Sequence, residues 1–134
     1  MGNAARDDLR LDAGRLRAMV GVWPGVESAI KWEDDLVFTV AGKMFCVLCV
    51  RDSGNASPGG SAIGRLSFKV EDERFLELTE RPGFAPAPYL ARAHWVLVAA
   101  PERLPAAELA GFLRRSYELV RARLPRKTQV ALDD

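Results

Sequence analysis

The chain has 134 residues, 19 of them Lys or Arg and 18 Asp or Glu, with 49% hydrophobic and 28% charged residues. That length suits one domain with enough core to fold without disulfides or a structural metal. The composition excludes disordered, collagen-like and coiled-coil classes, and a formal charge of +1 predicts neither a polyanion binder nor a strongly acidic scaffold.

Arg6, Asp7 and Asp8 stand where a signal peptide needs an apolar core, and no apolar run approaches the roughly 18 residues of a membrane span. The sequence therefore predicts a cytoplasmic protein without membrane association. Leu9 to Val20 reads as a helix, with Asp7 or Asp8 as N-cap and Leu9, Leu16, Met19 and Val20 as a partial apolar stripe, stopped by Pro24-Gly25. Val26 to Trp32 reads as a short strand. Leu36 to Val40 and Lys43 to Val50, joined by Ala41-Gly42, read as a hairpin with Phe38 and Phe45 opposite each other.

Cys46 and Cys49 share the spacing of a metal or redox motif. On a strand, however, residues three apart point to opposite faces, so the two sulfurs cannot converge on one zinc or one disulfide. They read as small buried hydrophobes. Asp52 to Gly64, rich in Gly, Ser and Asn, reads as a long loop; it runs into a strand, whereas a phosphate cradle would open a helix with Gly-Lys-Ser/Thr.

Arg65 to Val70 alternates, with Leu66, Phe68 and Val70 on one side and Arg65, Ser67 and Lys69 facing outward. Asp72 to Glu80 reads as a short helix bearing Phe75, Leu76 and Leu78, ended by Arg81-Pro82-Gly83. Phe84 to Tyr89 contains Pro86 and Pro88 and is expected to be extended and irregular, and His94 to Ala100 reads as a strand. From Pro105, the positions Leu109, Phe112, Leu113, Ser116, Val120 and Leu124 keep helical period as far as Pro125. The order predicts a two-layer α+β domain, its helices packed on one face of a mainly antiparallel sheet.

Pro24-Gly25-Val26, the run Val37 to Phe45, Arg92-Ala93-His94-Trp95, Ser116-Tyr117-Glu118-Leu119-Val120 and Leu124-Pro125-Arg126-Lys127 occur in that order. Together they resemble the MmcQ/YjbR family of small bacterial proteins. The resemblance implies the fold of the bacterial frataxin homologue CyaY and of type III secretion chaperones, and a likeness to double-wing DNA-binding modules.

Between Arg103 and Thr128 seven basic residues face Glu108 and Glu118, a surplus of five positive charges that could meet phosphates. Arg114 and Glu118, four apart, can instead pair on the helix surface. A second basic set lies on the expected outer face of the sheet: Lys43 at the hairpin turn, Arg65 and Lys69 on their strand, and Arg92 and His94 entering the last strand. Trp32 or Trp95 beside them would offer bases a stacking platform. The expected nucleic-acid contacts are thus Lys43, Arg65, Lys69, Arg92, His94, Arg126 and Lys127.

Catalysis has little support, because His94 is the single histidine and no nucleophile elbow accompanies it. The acidic runs Glu33-Asp34-Asp35 and Glu71-Asp72-Glu73 read as caps or solvated turns, and basic residues interleave the acids before Val20, so no metal or cofactor is expected. Two functions remain, a weak non-enzymatic DNA-binding module, or a protein-interaction domain of chaperone type using an apolar groove.

Overall fold

The computed structural model describes residues 13–31, 35–49, 65–88 and 90–133. Helix α1 (Ala13–Val20) leads into strands β1 (Val26–Lys31), β2 (Asp35–Val40), β3 (Lys43–Cys49) and β4 (Arg65–Lys69). Helix α2 (Asp72–Thr79), strands β5 (Phe84–Pro86) and β6 (Trp95–Val98), and helices α3 (Ala106–Arg121) and α4 (Arg126–Asp133) follow. The strands form one antiparallel sheet in the order β1-β2-β3-β4-β6-β5. The expected start of the first helix, Leu9 to Asp12, and the loop Asp52 to Gly64 lie outside the described residues, as do Trp32, Glu33, Asp34 and Val50.

The helices cover one face of the sheet, as the α+β reading requires. The core joins Leu16 and Val20 of α1, Leu78 of α2 and Leu109, Phe112, Leu113, Tyr117 and Val120 of α3 to the inward residues of β2, β3, β4 and β6. Full burial of one such side chain contributes roughly 1.5–3 kcal/mol, so α3 is the main apolar ballast of the helix layer. Aromatic contacts reinforce it: Phe112 stacks on Phe68 with centroids 5.3 Å apart, and Tyr117 meets the edge of Phe45 at 5.5 Å.

The hairpin register differs from the expected one. Phe38 pairs with Cys46 and Thr39 with Met44, which leaves Phe45 as the extra residue of a β-bulge. Consecutive Phe45 and Cys46 therefore both face the helix-side core, while Met44, Val47 and Cys49 face the other way. Simple alternation cannot anticipate this, because it assumes an unbroken ladder. Cys46 and Cys49 do lie on opposite faces of the sheet.

Next to the bulge, the β3–β4 ladder ends at Cys46 paired with Phe68. Phe45 and Lys69 would form the next pair, and the hydroxyl of Ser116 stands between them. It donates to the Phe45 carbonyl at 2.6 Å and accepts the Lys69 N–H at 3.0 Å. A fully buried serine in an otherwise apolar helix stripe is thereby satisfied. One residue on, the Tyr117 hydroxyl donates to the Pro24 carbonyl at 2.6 Å and ties α3 to the turn before β1. In that turn Gly25 has φ +80°, a left-handed conformation in which any side chain would be strained, and a Cβ there would also push aside the end of the Leu132 side chain.

Four other expectations are corrected. Phe84 to Pro86 is a regular edge strand; proline is tolerated there because an edge N–H has no ladder partner to lose. His94 is not in a strand: it adopts a left-handed conformation (φ 63°) closing a short 3₁₀ turn, Ala91–Ala93, and β6 begins after it. Pro125 does not end the helical region but precedes α4, whose first residues are Arg126 and Lys127. The outer face of the sheet is not an open polar surface. Ser67 is buried there beside Val37, Val47 and Trp95, with Ala87 and Leu90 packed alongside.

Replacing Ser116 by Ala strips a buried donor and a buried acceptor of their partner, so it is expected to cost about 2 kcal/mol, measured by urea unfolding. Phe112→Ala should cost on the order of 3–5 kcal/mol, against less than about 1 kcal/mol for Arg115→Ala on the outer face. In native protein a thiol reagent should modify half-buried Cys49 well before Cys46, whose burial pushes its thiol pKa far up; Cys49→Ser should abolish the fast phase.

Candidate nucleic-acid interface

The sheet topology sorts the predicted basic residues by position. Strand β3 begins where β4 ends, and β6 begins opposite Lys69, so Lys43, Lys69, Arg92 and His94 gather at one end of the sheet. Arg65 pairs with Cys49 at the opposite end and does not join them. Lys43 is presented by a two-residue turn, Ala41-Gly42, with φ of 49° and 85°, a hairpin geometry that leaves its side chain exposed.

Two members of this set are engaged by the fold itself. The Lys69 ammonium donates to the Ala93 carbonyl at 2.5 Å, holding the 3₁₀ turn against β4. Its pKa is lowered, first by burial and then by the charge of Arg123, with Asp72 opposing. His94 Nδ1 lies 2.6 Å from Asp72 Oδ1, and its ring meets the edge of Phe75 with centroids 5.2 Å apart. Both residues position the turn that presents Arg92.

Arg123, in the segment after α3, stands near enough to Lys69 for its charge to lower the Lys69 pKa. Arg123 was part of the expected basic surplus but not of the expected contact set, because its approach to Lys69 depends on how α3 lies across the sheet. Lys43, Arg92, Arg123, Arg126 and Lys127 are all exposed, and among the described residues none has an acidic partner.

The helix surface behaves differently. Arg81 binds Glu108 through two hydrogen bonds of 2.8 and 3.0 Å, Arg115 engages Glu71 and Glu118, Arg114 pairs with Glu118, and Arg121 with Asp133. Three of the seven basic residues between Arg103 and Thr128 are thus neutralised in place. A cavity of about 360 Å³ opens between α2 and α3, lined by Lys69, Glu71, Arg74, Glu108 and Arg115 around Phe112. Arg74 lies over the Phe112 ring, 5.6 Å from its centroid. Sequence reading could not pair Glu71 with Arg115, because they are 44 positions apart on different elements.

Of the two tryptophans expected to offer a stacking platform, Trp32 lies outside the described residues and Trp95 offers none. Trp95 is 4% exposed and belongs to the outer-face cluster, and Trp23 packs on Phe45 and Tyr117 with Arg114 over its ring. Among the described residues no helix is long and apolar enough to cross a membrane, and no three His, Cys, Asp or Glu side chains come together as a metal site.

A family model described as YjbR matches residues 22–119. The fold is similar to that of a Deinococcus radiodurans protein carrying a DUF419 domain, at 26% identity and a TM-score of 0.76 over 93% of this chain and 90% of that one. It also resembles a Pseudomonas syringae protein at 20% identity and a TM-score of 0.60, over 81% of this chain and 98% of the other, a likeness of fold alone. No curated protein matches the chain significantly.

The carboxyls of Glu71 and Glu108 are held below their ordinary value of 4.5, chiefly by hydrogen bonds from Arg115 and Arg81. A carboxylate whose pKa is depressed on folding stabilises the native state above its unfolded pKa and loses that contribution as pH falls through the folded one. Stability should therefore decline below about pH 4.5. The Glu71→Gln/Glu108→Gln variant, compared by thermal unfolding at pH 3 and pH 7, should show a shallower decline.

Proposed function

The chain belongs to the YjbR family, and we propose that it acts as a non-enzymatic nucleic-acid-binding module whose contacts are phosphates met by the basic end of the sheet. The observation that carries this reading is the partition of charge. Arg81, Arg114, Arg115 and Arg121 are paired with carboxylates, whereas Lys43, Arg92, Arg123, Arg126 and Lys127 are exposed and lack acidic partners among the described residues. Exposed arginine and lysine side chains at that end suit a polyanion, since each contact releases counterions from the phosphate backbone.

Binding of this kind is weak and indifferent to base sequence. A net charge of +1 provides little long-range steering, and Trp95, buried in the outer-face cluster, is not open to stack on bases. The protein-interaction alternative needs an apolar groove; the cavity between α2 and α3 combines Val70 and Phe112 with the charged residues Glu71, Arg74, Glu108 and Arg115.

Fluorescence anisotropy against random duplex DNA, single-stranded DNA and RNA at two salt concentrations tests the proposal. Dissociation constants of roughly 10⁻⁴ to 10⁻⁶ M at physiological salt are expected. Lys43→Ala, Arg92→Ala, Arg123→Ala and Lys127→Ala should each weaken binding about equally across sequences and lower the salt slope by about one. Arg115→Ala, on the paired face, should change neither. Absence of binding to all three polymers at low salt would remove the nucleic-acid reading.

A further inference from the structure

The sheet has two edges of different character. β5 is three residues long and ends in Pro86, whereas β1 presents six residues, of which Glu27 to Lys31 are exposed. A long exposed edge strand is a template for another strand unless its side chains forbid pairing. The hydrogen-bond parity of β1 is set by the turn before it, where the Ala41 N–H donates to the Gly25 carbonyl. In an antiparallel ladder bonded and non-bonded pairs alternate, so Glu27, Ala29 and Lys31 bond inward to β2. The N–H and C=O groups of Ser28 and Ile30 then point out from the edge.

We propose that β1 is a self-complementary docking edge whose occupant is β1 of a second copy of this chain, antiparallel about a two-fold axis at Ala29. In that register Ser28 of one copy and Ile30 of the other form the bonded pairs, giving four main-chain hydrogen bonds. Glu27 then lies opposite Lys31 twice, once on each side of the axis. Registers offset by one residue set outward groups against inward ones and make no ladder. Offsets of two put Glu27 or Lys31 opposite Ala29, and offsets of four put Glu27 on Glu27 or Lys31 on Lys31. Charge therefore selects one register among those that parity allows.

The apolar chemistry agrees with that choice. Ile30 is 56% exposed on the helix side of β1, since its register partner Leu36 faces the core. In the proposed pairing the two Ile30 side chains become diagonal neighbours across the axis, within reach of each other, and leave water together. Edge pairing of six residues buries little side-chain area, so the dimer is weak and depends on protein concentration. This pairing is independent of any nucleic-acid role, because it involves the strand farthest from β6.

Sedimentation equilibrium of the full chain over a concentration series provides the test. The wild type should show a reversible monomer–dimer equilibrium. Lys31→Glu and Glu27→Lys should each weaken it about tenfold, as two symmetric attractions become repulsions. The Glu27→Lys/Lys31→Glu double variant, with both charges exchanged, should recover it. Ile30→Pro, which removes an outward N–H and no ladder bond within the chain, should leave a folded monomer. A wild type that sediments as a monomer throughout would overturn the proposal. So would a dimer that ignores the single reversals, or a double variant as weak as either single one.

Discussion

The Ser116 hydroxyl, set between the Lys69 N–H and the Phe45 carbonyl, is the contact through which the two layers are registered. A bulge in β3 turns two consecutive side chains into the core and ends the ladder with β4 one pair short. Without a substitute, two buried backbone groups would go unpaired, at a cost of about 1–3 kcal/mol each. A helix-borne hydroxyl that both donates and accepts completes the ladder, and in doing so fixes the translation and rotation of α3 over the sheet. The placement of its neighbours follows. Tyr117 reaches Pro24, Phe112 lands on Phe68, and Arg115 comes within reach of Glu71.

That placement also divides the charges. With α3 held in this rotation, Arg114, Arg115 and Arg121 lie near carboxylates, while the segment after the helix carries Arg123 toward Lys69. Among the described residues the cations of α3 are thereby set apart from those at the sheet end. The helix face is a network of compensated pairs, each worth little at an exposed position. At the sheet end Lys43 and Arg92 stay exposed.

The outer face and the edges show a second division. One side of the sheet is closed by the helices and the other by a smaller apolar cluster around Trp95 and Val47. Among the described residues, the sheet's periphery stays exposed at Lys43 and Arg92 and along the β1 edge from Glu27 to Lys31. At the β5 edge, a proline and a length of three residues leave little to pair with.

Much of the layer order was legible in the chain, because periodicity is a local property. The alternation of Leu66, Phe68 and Val70 and the helical spacing from Leu109 to Val120 each report a buried face without knowledge of what covers it. The opposite facing of Cys46 and Cys49 was legible for the same reason, as was the Arg114–Glu118 pair. Tertiary structure alone decided the bulge at Phe45, the strand at Phe84–Pro86, the left-handed turn at His94 and the burial of Ser67. Each depends on a partner far away in sequence: Ser116 for the bulge, β6 for the edge strand, Lys69 for the turn and the Trp95 cluster for Ser67. The same holds for the basic end, since Lys43, Arg92 and Arg123 come together only when strands and helix are registered. Sequence patterns report which face of an element avoids water, but a site built from several elements exists only once those faces have been matched.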